Sequence, residues 1–234
     1  MKVVTLDIET SLSEPYDEIA PRPEVGDGGG VTWRPEPKFA PLPLHVPEVI
    51  AWLKADGEDL ELKVYDRGDD DETAALAELG ADLRWAKRLV TFNGRGFDMP
   101  LLSLRAMKRG VDWSFWDRCR HRFGNYKKAL FHYDLQDQLG DFGAARAISL
   151  DRVAKLLELP GKREVCGGDV FEMIEAGNRE RVVSYCCDDV LQTWLVYLAF
   201  CHSHLGADGE QTQAAINRAL AYARGHEHLA ELYG

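Results

Sequence analysis

The chain opens on an apolar, β-branched run, Val3-Val4-Thr5-Leu6, that stops abruptly at Asp7 and Glu9. Residues 2–8 read as a first strand. Side chains alternate along a strand, so Asp7 and Glu9 lie next to each other on one side of it. Apolar runs at 46–53 and 60–65 predict two more strands that form a meander with the first. Residues 70–89 form an amphipathic helical segment, with acids in the first turn and Arg84, Lys87 and Arg88 in the last, as the helix dipole favours. A short strand at 89–92 runs into the turn NGRGFD and a helix from about Asp98 to Arg109. Helical segments follow near 149–158 and 169–176, then a long helix over about 178–200 and a last one over about 209–232. Three strands, a helix, a strand and then more helices predict an α/β fold, a sheet with helical cover.

Eight of the ten prolines fall between Pro15 and Pro47, around Gly28-Gly29-Gly30. Residues of about 11–45 therefore read as an irregular insert, either a plain loop or a lid or partner-binding arm. A length of 234 residues suits one large domain, and no apolar stretch approaches a membrane span. The N-terminus lacks a signal-peptide layout, and five cysteines, two of them adjacent, suit no disulfide framework, so the expected location is cytoplasmic. The net charge of −11 argues against a broad electrostatic grip on duplex nucleic acid. It leaves room for a small acidic site that meets phosphates through bound cations.

The pattern Asp-x-Glu is common in this chain and occurs, among other places, at Asp7/Glu9, Asp56/Glu58, Asp59/Glu61 and Asp70/Glu72. The last three sit in polar, turn-like surroundings where charges are expected to be solvated, whereas Asp7/Glu9 closes an apolar strand. Asp98 stands where a strand, a glycine-rich turn and a helix meet, a place that also suits an ordinary N-cap. In RVVSYCCDDVLQTWLVYLAF (181–200), Tyr185 and Asp189 are four apart and share a helix face, and Asp188 could reach that face too. Tyr65/Asp69 and Tyr133/Asp137 repeat the same spacing.

Taken in order, LDIET, TFNGRGFDMPLL and YCCDDV resemble the three motifs of the DEDD 3′–5′ exonucleases, in the tyrosine-bearing version of family-B polymerase proofreading domains. PKFAPLP, NGRGFDMPLLSLRA, LPGK and YCCDDVLQTWLVYL are similar to the stand-alone bacterial proteins described as polymerase-B-like predicted exonucleases. The likeness covers most of residues 1–200 and implies an RNase H-like fold with a central mixed sheet and flanking helices. The domain would then span 1–205, with 206–234 as a C-terminal helical extension.

The resemblance makes Asp7, Glu9, Asp98 and Asp189 the metal-binding carboxylates, with Tyr185 as their catalytic partner. It prefers Asp189 to Asp188 because the family tyrosine precedes its acid by four places. Hard carboxylate oxygens suit two Mg²⁺ or Mn²⁺ ions. A neutral tyrosine hydroxyl, which titrates near pH 10, orients water better than it removes a proton. The implied activity is metal-dependent 3′–5′ hydrolysis of single-stranded DNA. RNA is an alternative substrate, and a nucleic-acid-binding scaffold with little turnover is an alternative role. Thr10, Asn93 and Phe97 are candidates for contact with the terminal nucleotide, and Lys127, Lys128 and Lys162 for contact with phosphates. FWDRCRHRFGNYKK (115–128) alternates cations with aromatics, which suits a single strand or, equally, a solvated connector with aromatics in the core.

Overall fold

The apolar alternation of Val3–Leu12 builds β1, the central strand of a five-stranded sheet. The computed structural model describes residues 1–12, 23–25, 31–33, 40–118, 131–145, 148–159 and 170–233, with the backbone alone at 23–25, 31–33, 117 and 118. A small hairpin of β2 (Pro23–Val25) and β3 (Val31–Trp33) lies within the insert. β4 (His45–Asp56) and β5 (Asp59–Asp66) run antiparallel on one side of β1, completing the expected meander. β6 (Arg88–Thr91) and β7 (His132–Asp134) run parallel to β1 on the other side, so the sheet is mixed, in the order β5-β4-β1-β6-β7.

The two faces of the sheet bury two separate apolar clusters. Val4, Leu6 and Ile8 of β1 pack with Ile50, Trp52 and Leu89 against α1 (Glu72–Trp85), α2 (Asp98–Arg109) and α3 (Ser114–Arg118). Val3 faces the opposite cluster, and Thr5, Asp7 and Glu9 follow it by alternation. That side is covered by the long α7 (Arg179–Leu205), flanked by α5 (Leu150–Leu156), α6 (Val170–Glu175), α8 (Gly209–Gly225) and α9 (Ala230–Tyr233). The short α4 (Leu135–Leu139) follows β7. Ala219, Ala223, Leu229 and Tyr233 join the α7 cluster, and the Leu62 N–H donates to the Tyr222 hydroxyl at 2.9 Å. The residues after 205 thus share a core with the sheet.

Several expectations shift in detail. The helix expected over 70–89 ends at Trp85, because Ala86 turns extended and Lys87 donates its N–H to the Lys2 carbonyl. The last helix breaks after Gly225, where His226 adopts an extended conformation. Glu72 is not solvated: it is buried and accepts hydrogen bonds from Arg105 at 2.6 Å and Arg109 at 2.7 Å, which ties α1 to α2. Phe115 and Trp116 are core residues, closed to base stacking. Among the described residues, no helix is long and apolar enough to cross a membrane, and Cys186, Cys187 and Cys201 are unbridged.

Pairing of β1 with β4 changes register between Glu9 and Thr10: Glu9 lies opposite Val49 and Thr10 opposite Pro47, which leaves Glu48 as the extra residue of a bulge. Pro47 has no N–H to give the ladder, and bulges are among the few places a sheet accepts proline. Glu48 is 3% exposed and accepts from the Ser11 hydroxyl at 2.5 Å, from Arg67 at 2.6 Å and from Arg179 at 2.8 Å. Arg179 also donates to Asp66 at 2.6 Å, so one guanidinium pins the start of α7 to two strands. Burial alone would raise the Glu48 pKa, but the three donors outweigh it and hold the group below its ordinary 4.5.

A carboxylate depressed in this way adds stability above its unfolded pKa and loses it as pH falls through the lower folded value. Arg179→Met leaves the buried Glu48 with Arg67 and Ser11 alone and should cost about 2 kcal/mol at pH 7 by urea unfolding. The deficit should shrink as the pH is lowered through and below 4.5. A deficit that stays constant with pH would show that the pair does not stabilise the fold.

Candidate active site

β1 outruns its neighbour. It pairs with β6 over Val3–Thr5, and the two acids lie beyond the end of that ladder. Open crevices past the carboxyl ends of parallel strands are where α/β sheets place ligands. Here Asp7 and Glu9 face α7, from which Asp189 points back at them. Ligand-capable oxygens of Asp7, Glu9 and Asp189 lie within 4.8 Å of one another, with Glu9 and Asp189 buried and Asp7 half-buried. The Cys186 thiol donates weakly to Asp7, at 3.5 Å from its carbonyl and 3.7 Å from Oδ2.

Spacing left Asp188 and Asp189 equivalent, and the packing of α9 separates them. Asp188 accepts from the Tyr233 hydroxyl at 2.6 Å and from Gln192 Nε2 at 2.8 Å, whereas Asp189 joins Asp7 and Glu9. Tyr185 is buried one turn before Asp189. Burial, the negative charges of Asp189, Glu9 and Asp7, and a hydrogen bond to Asp189 all push the Tyr185 pKa far upward. Its hydroxyl keeps its proton at any working pH.

Asp98 enters from the other face of the sheet. Phe97, not Asp98, holds the N-cap place of α2, and Asp98 is the first helical residue. Its carboxylate takes N–H bonds from its own backbone and from Ile8 of β1, and it feels the charges of Asp134 and Asp189. Burial first, and those charges second, push the Asp98 pKa up to about 7. The turn before it is tightly built. Asn93 has φ 70°, and a Cβ on Gly94 would sit 2.6 Å from Thr91 Cβ, so this position admits glycine alone. Asp134, at the end of β7, caps α4 and accepts the Asn93 N–H at 2.9 Å and the Arg95 N–H at 2.8 Å. The loop that delivers Asp98 is thereby fixed to the sheet.

With Asp7, Glu9 and Asp189 brought together and Asp98 near enough to feel the charge of Asp189, the comparisons with known proteins bear on the same region. A family model described as a predicted 3′–5′ exonuclease related to the exonuclease domain of PolB matches residues 37–233. The chain belongs to this exonuclease family. The match spans Asp98, Tyr185 and Asp189 and begins after β1; Asp7 and Glu9 lie outside it and stand beside Asp189 in the structure. A solved family B DNA polymerase from the hyperthermophilic archaeon Pyrobaculum calidifontis is similar in structure, with a TM-score of 0.53 and 21% identity over 96% of this chain. At that identity the likeness concerns the RNase H-like α/β fold, and this exonuclease spans 29% of the polymerase chain. No curated protein matches the chain.

Of the expected nucleotide contacts, Thr10 follows Glu9 and Phe97 precedes Asp98 in the chain, and Asn93 lies in the turn that leads to Asp98. The Thr10 hydroxyl lies 2.9 Å from His45 Nδ1, and the half-buried Phe97 ring meets the His45 ring edge-on at 5.1 Å. Lys127, Lys128 and Lys162 lie outside the described residues. The rival tyrosine–aspartate pairs stand elsewhere: Tyr65 is in the core, and Asp137 forms an ion pair with Arg95. Sequence reasoning missed His45 and Asp134. His45 reaches Thr10 through strand pairing, which no local pattern reveals. Asp134 lies inside HYDLQDQL, where only the N-cap chemistry of an aspartate before a helix could have marked it. Beside Tyr185 and Asp188 opens a groove of about 790 Å³ walled by Asp66, Asp69, Asp70, Glu180 and Glu227.

An acid whose folded pKa is raised destabilises the fold once it must ionise, so stability falls as pH climbs from its ordinary 3.8 through about 7. In chelator, Asp98→Asn should therefore raise stability at pH 8 by on the order of 2 kcal/mol and leave it nearly unchanged at pH 4. Thermal unfolding at both pH values checks this. Equal or lower stability of the variant at pH 8 would mean that Asp98 is not strained by its neighbours.

Proposed function

We propose that this chain removes nucleotides one at a time from the 3′ end of single-stranded DNA, and that divalent cations held by Asp7, Glu9, Asp98 and Asp189 are required. The observation that carries this reading is the approach of Asp7, Glu9 and Asp189 to within 4.8 Å in a half-buried place. Carboxylates so close repel unless a proton or cation lies among them, and all-oxygen donors fit Mg²⁺ or Mn²⁺. When bound, two such ions supply Lewis acidity at the scissile phosphate and lower the cost of activating water.

The chain's own residues do the rest. Asp7 and Glu9 offer donors from β1, Asp189 from α7 and Asp98 from the start of α2. The protonated Tyr185 hydroxyl donates its hydrogen bond to Asp189 and offers a lone pair to the attacking water, which it orients with no part as a base. Phe97 packs against the last base, while Thr10 and Asn93 contact the last sugar and phosphate. The acidic groove beside Tyr185 opposes a polyanion, which supports a strand path over Thr10 and Phe97. The unbridged Cys186, Cys187 and Cys201 fit a cytoplasmic setting.

The deciding experiment digests DNA and RNA oligomers of equal sequence, labelled at either end, in Mg²⁺ or Mn²⁺. Wild type should shorten DNA stepwise from the 3′ end, and Asp98→Ala should slow this about a hundredfold or more. Faster shortening of RNA would transfer the substrate, and tight binding without cleavage would make the chain a scaffold. Separately, Mg²⁺ or Mn²⁺ should raise the melting temperature of wild type, and Asp7→Asn should blunt that rise. If divalent ions act equally on both proteins, the metal site is misassigned.

A further inference from the structure

His45 opens β4 opposite Leu12 and is 6% exposed. Both ring nitrogens are engaged: Nε2 lies 3.3 Å from the Ala40 carbonyl oxygen and Nδ1 lies 2.9 Å from Thr10 Oγ1. A carbonyl can only accept, so Nε2 carries the hydrogen. In the neutral ring Nδ1 is then bare and must accept, which obliges the Thr10 hydroxyl to point its proton at His45. Burial pushes the His45 pKa below its ordinary 6.5, against a smaller opposing pull from Ala40, which keeps the ring neutral at pH 7 and above. Thr10, half-buried and next in the chain to Glu9, is left with lone pairs to present to a ligand and no proton to give.

We infer that His45 is a positioning residue that fixes the polarity of Thr10, so that the site selects a strand end carrying a hydrogen-bond donor, a free 3′-hydroxyl. Ends that only accept, such as a 3′-phosphate, meet lone pair against lone pair and are disfavoured. The edge-on contact between His45 and Phe97 holds the same ring in place, so the surface for the last base and the acceptor for its sugar share one support. This inference rests on the exonuclease reading for the location of the strand end, but its readout is binding and does not need turnover.

The probes are three short 5′-labelled thymidine oligomers that differ at the 3′ position alone: hydroxyl, hydrogen or fluorine. Fluorine matches the hydroxyl in size and cannot donate. Dissociation constants are measured by fluorescence anisotropy at pH 8 with Ca²⁺ present. Wild type should bind the hydroxyl end about tenfold more tightly than either other end. His45→Phe keeps a ring against Phe97 but frees the Thr10 proton, so the hydroxyl and fluoro ends should become equal. His45→Asn can place an amide oxygen where Nδ1 was and should restore the preference. Thr10→Val should equalise the ends with His45 untouched, which covers a His45 variant that folds poorly. Equal wild-type affinities for hydroxyl and fluoro ends, a His45→Phe protein with the wild-type ratio, or no binding of any probe would overturn the inference. Selective binding without shortening in Mg²⁺ would instead overturn the nuclease activity and leave this selectivity standing.

Discussion

Repulsion among carboxylates that cannot move apart governs this molecule. Asp7 and Glu9 are fixed by a strand, Asp189 by a helix twenty-seven residues long, and Asp98 by a turn whose backbone is tied to Asp134. The fold holds the cost with rigid supports: Arg179 binds the start of α7 to two strands, and Tyr233 takes up Asp188. Burial and, after it, the charges of the acids keep Tyr185 neutral and push Asp98 toward neutrality. The same charges favour a cation among these oxygens, which could hold a metal ion.

Most of the frame was legible in the sequence because long elements repeat their periods. β1, β4, β5, α1, α2 and α7 all appear within a few residues of the positions their apolar spacing predicts. β7 did not, since three residues, His132–Asp134, are too few to display an alternation, and its burial depends on β6 beside it. The fate of Glu72 was hidden for a related reason. A charge in a polar stretch reads as solvated until a partner such as Arg105, thirty-three residues away, is brought to it.

The acidic set shows the same division. Asp7 and Glu9 are marked by an apolar run that ends in charge, and Asp98 by a turn with glycines. Asp188 and Asp189 could not be told apart by spacing, because the choice is made by Tyr233 from forty-five residues further along. His45 is the clearest case of a residue beyond local pattern. Its meaning is a matter of which lone pair and which proton face each other across two strands, and that information exists only once the strands are paired.

The bulge at Glu48 has a further consequence. With its carboxylate clasped by Ser11, Arg67 and Arg179, the two strands are locked like a bolt through matching holes. Sliding them by one place would turn Asp7 and Glu9 toward the α1/α2 side of the sheet and bury them in apolar surroundings. The clasp therefore guards the alignment of the chain: a misaligned molecule loses its buried ion pairs and hides two charges in oil at the same time.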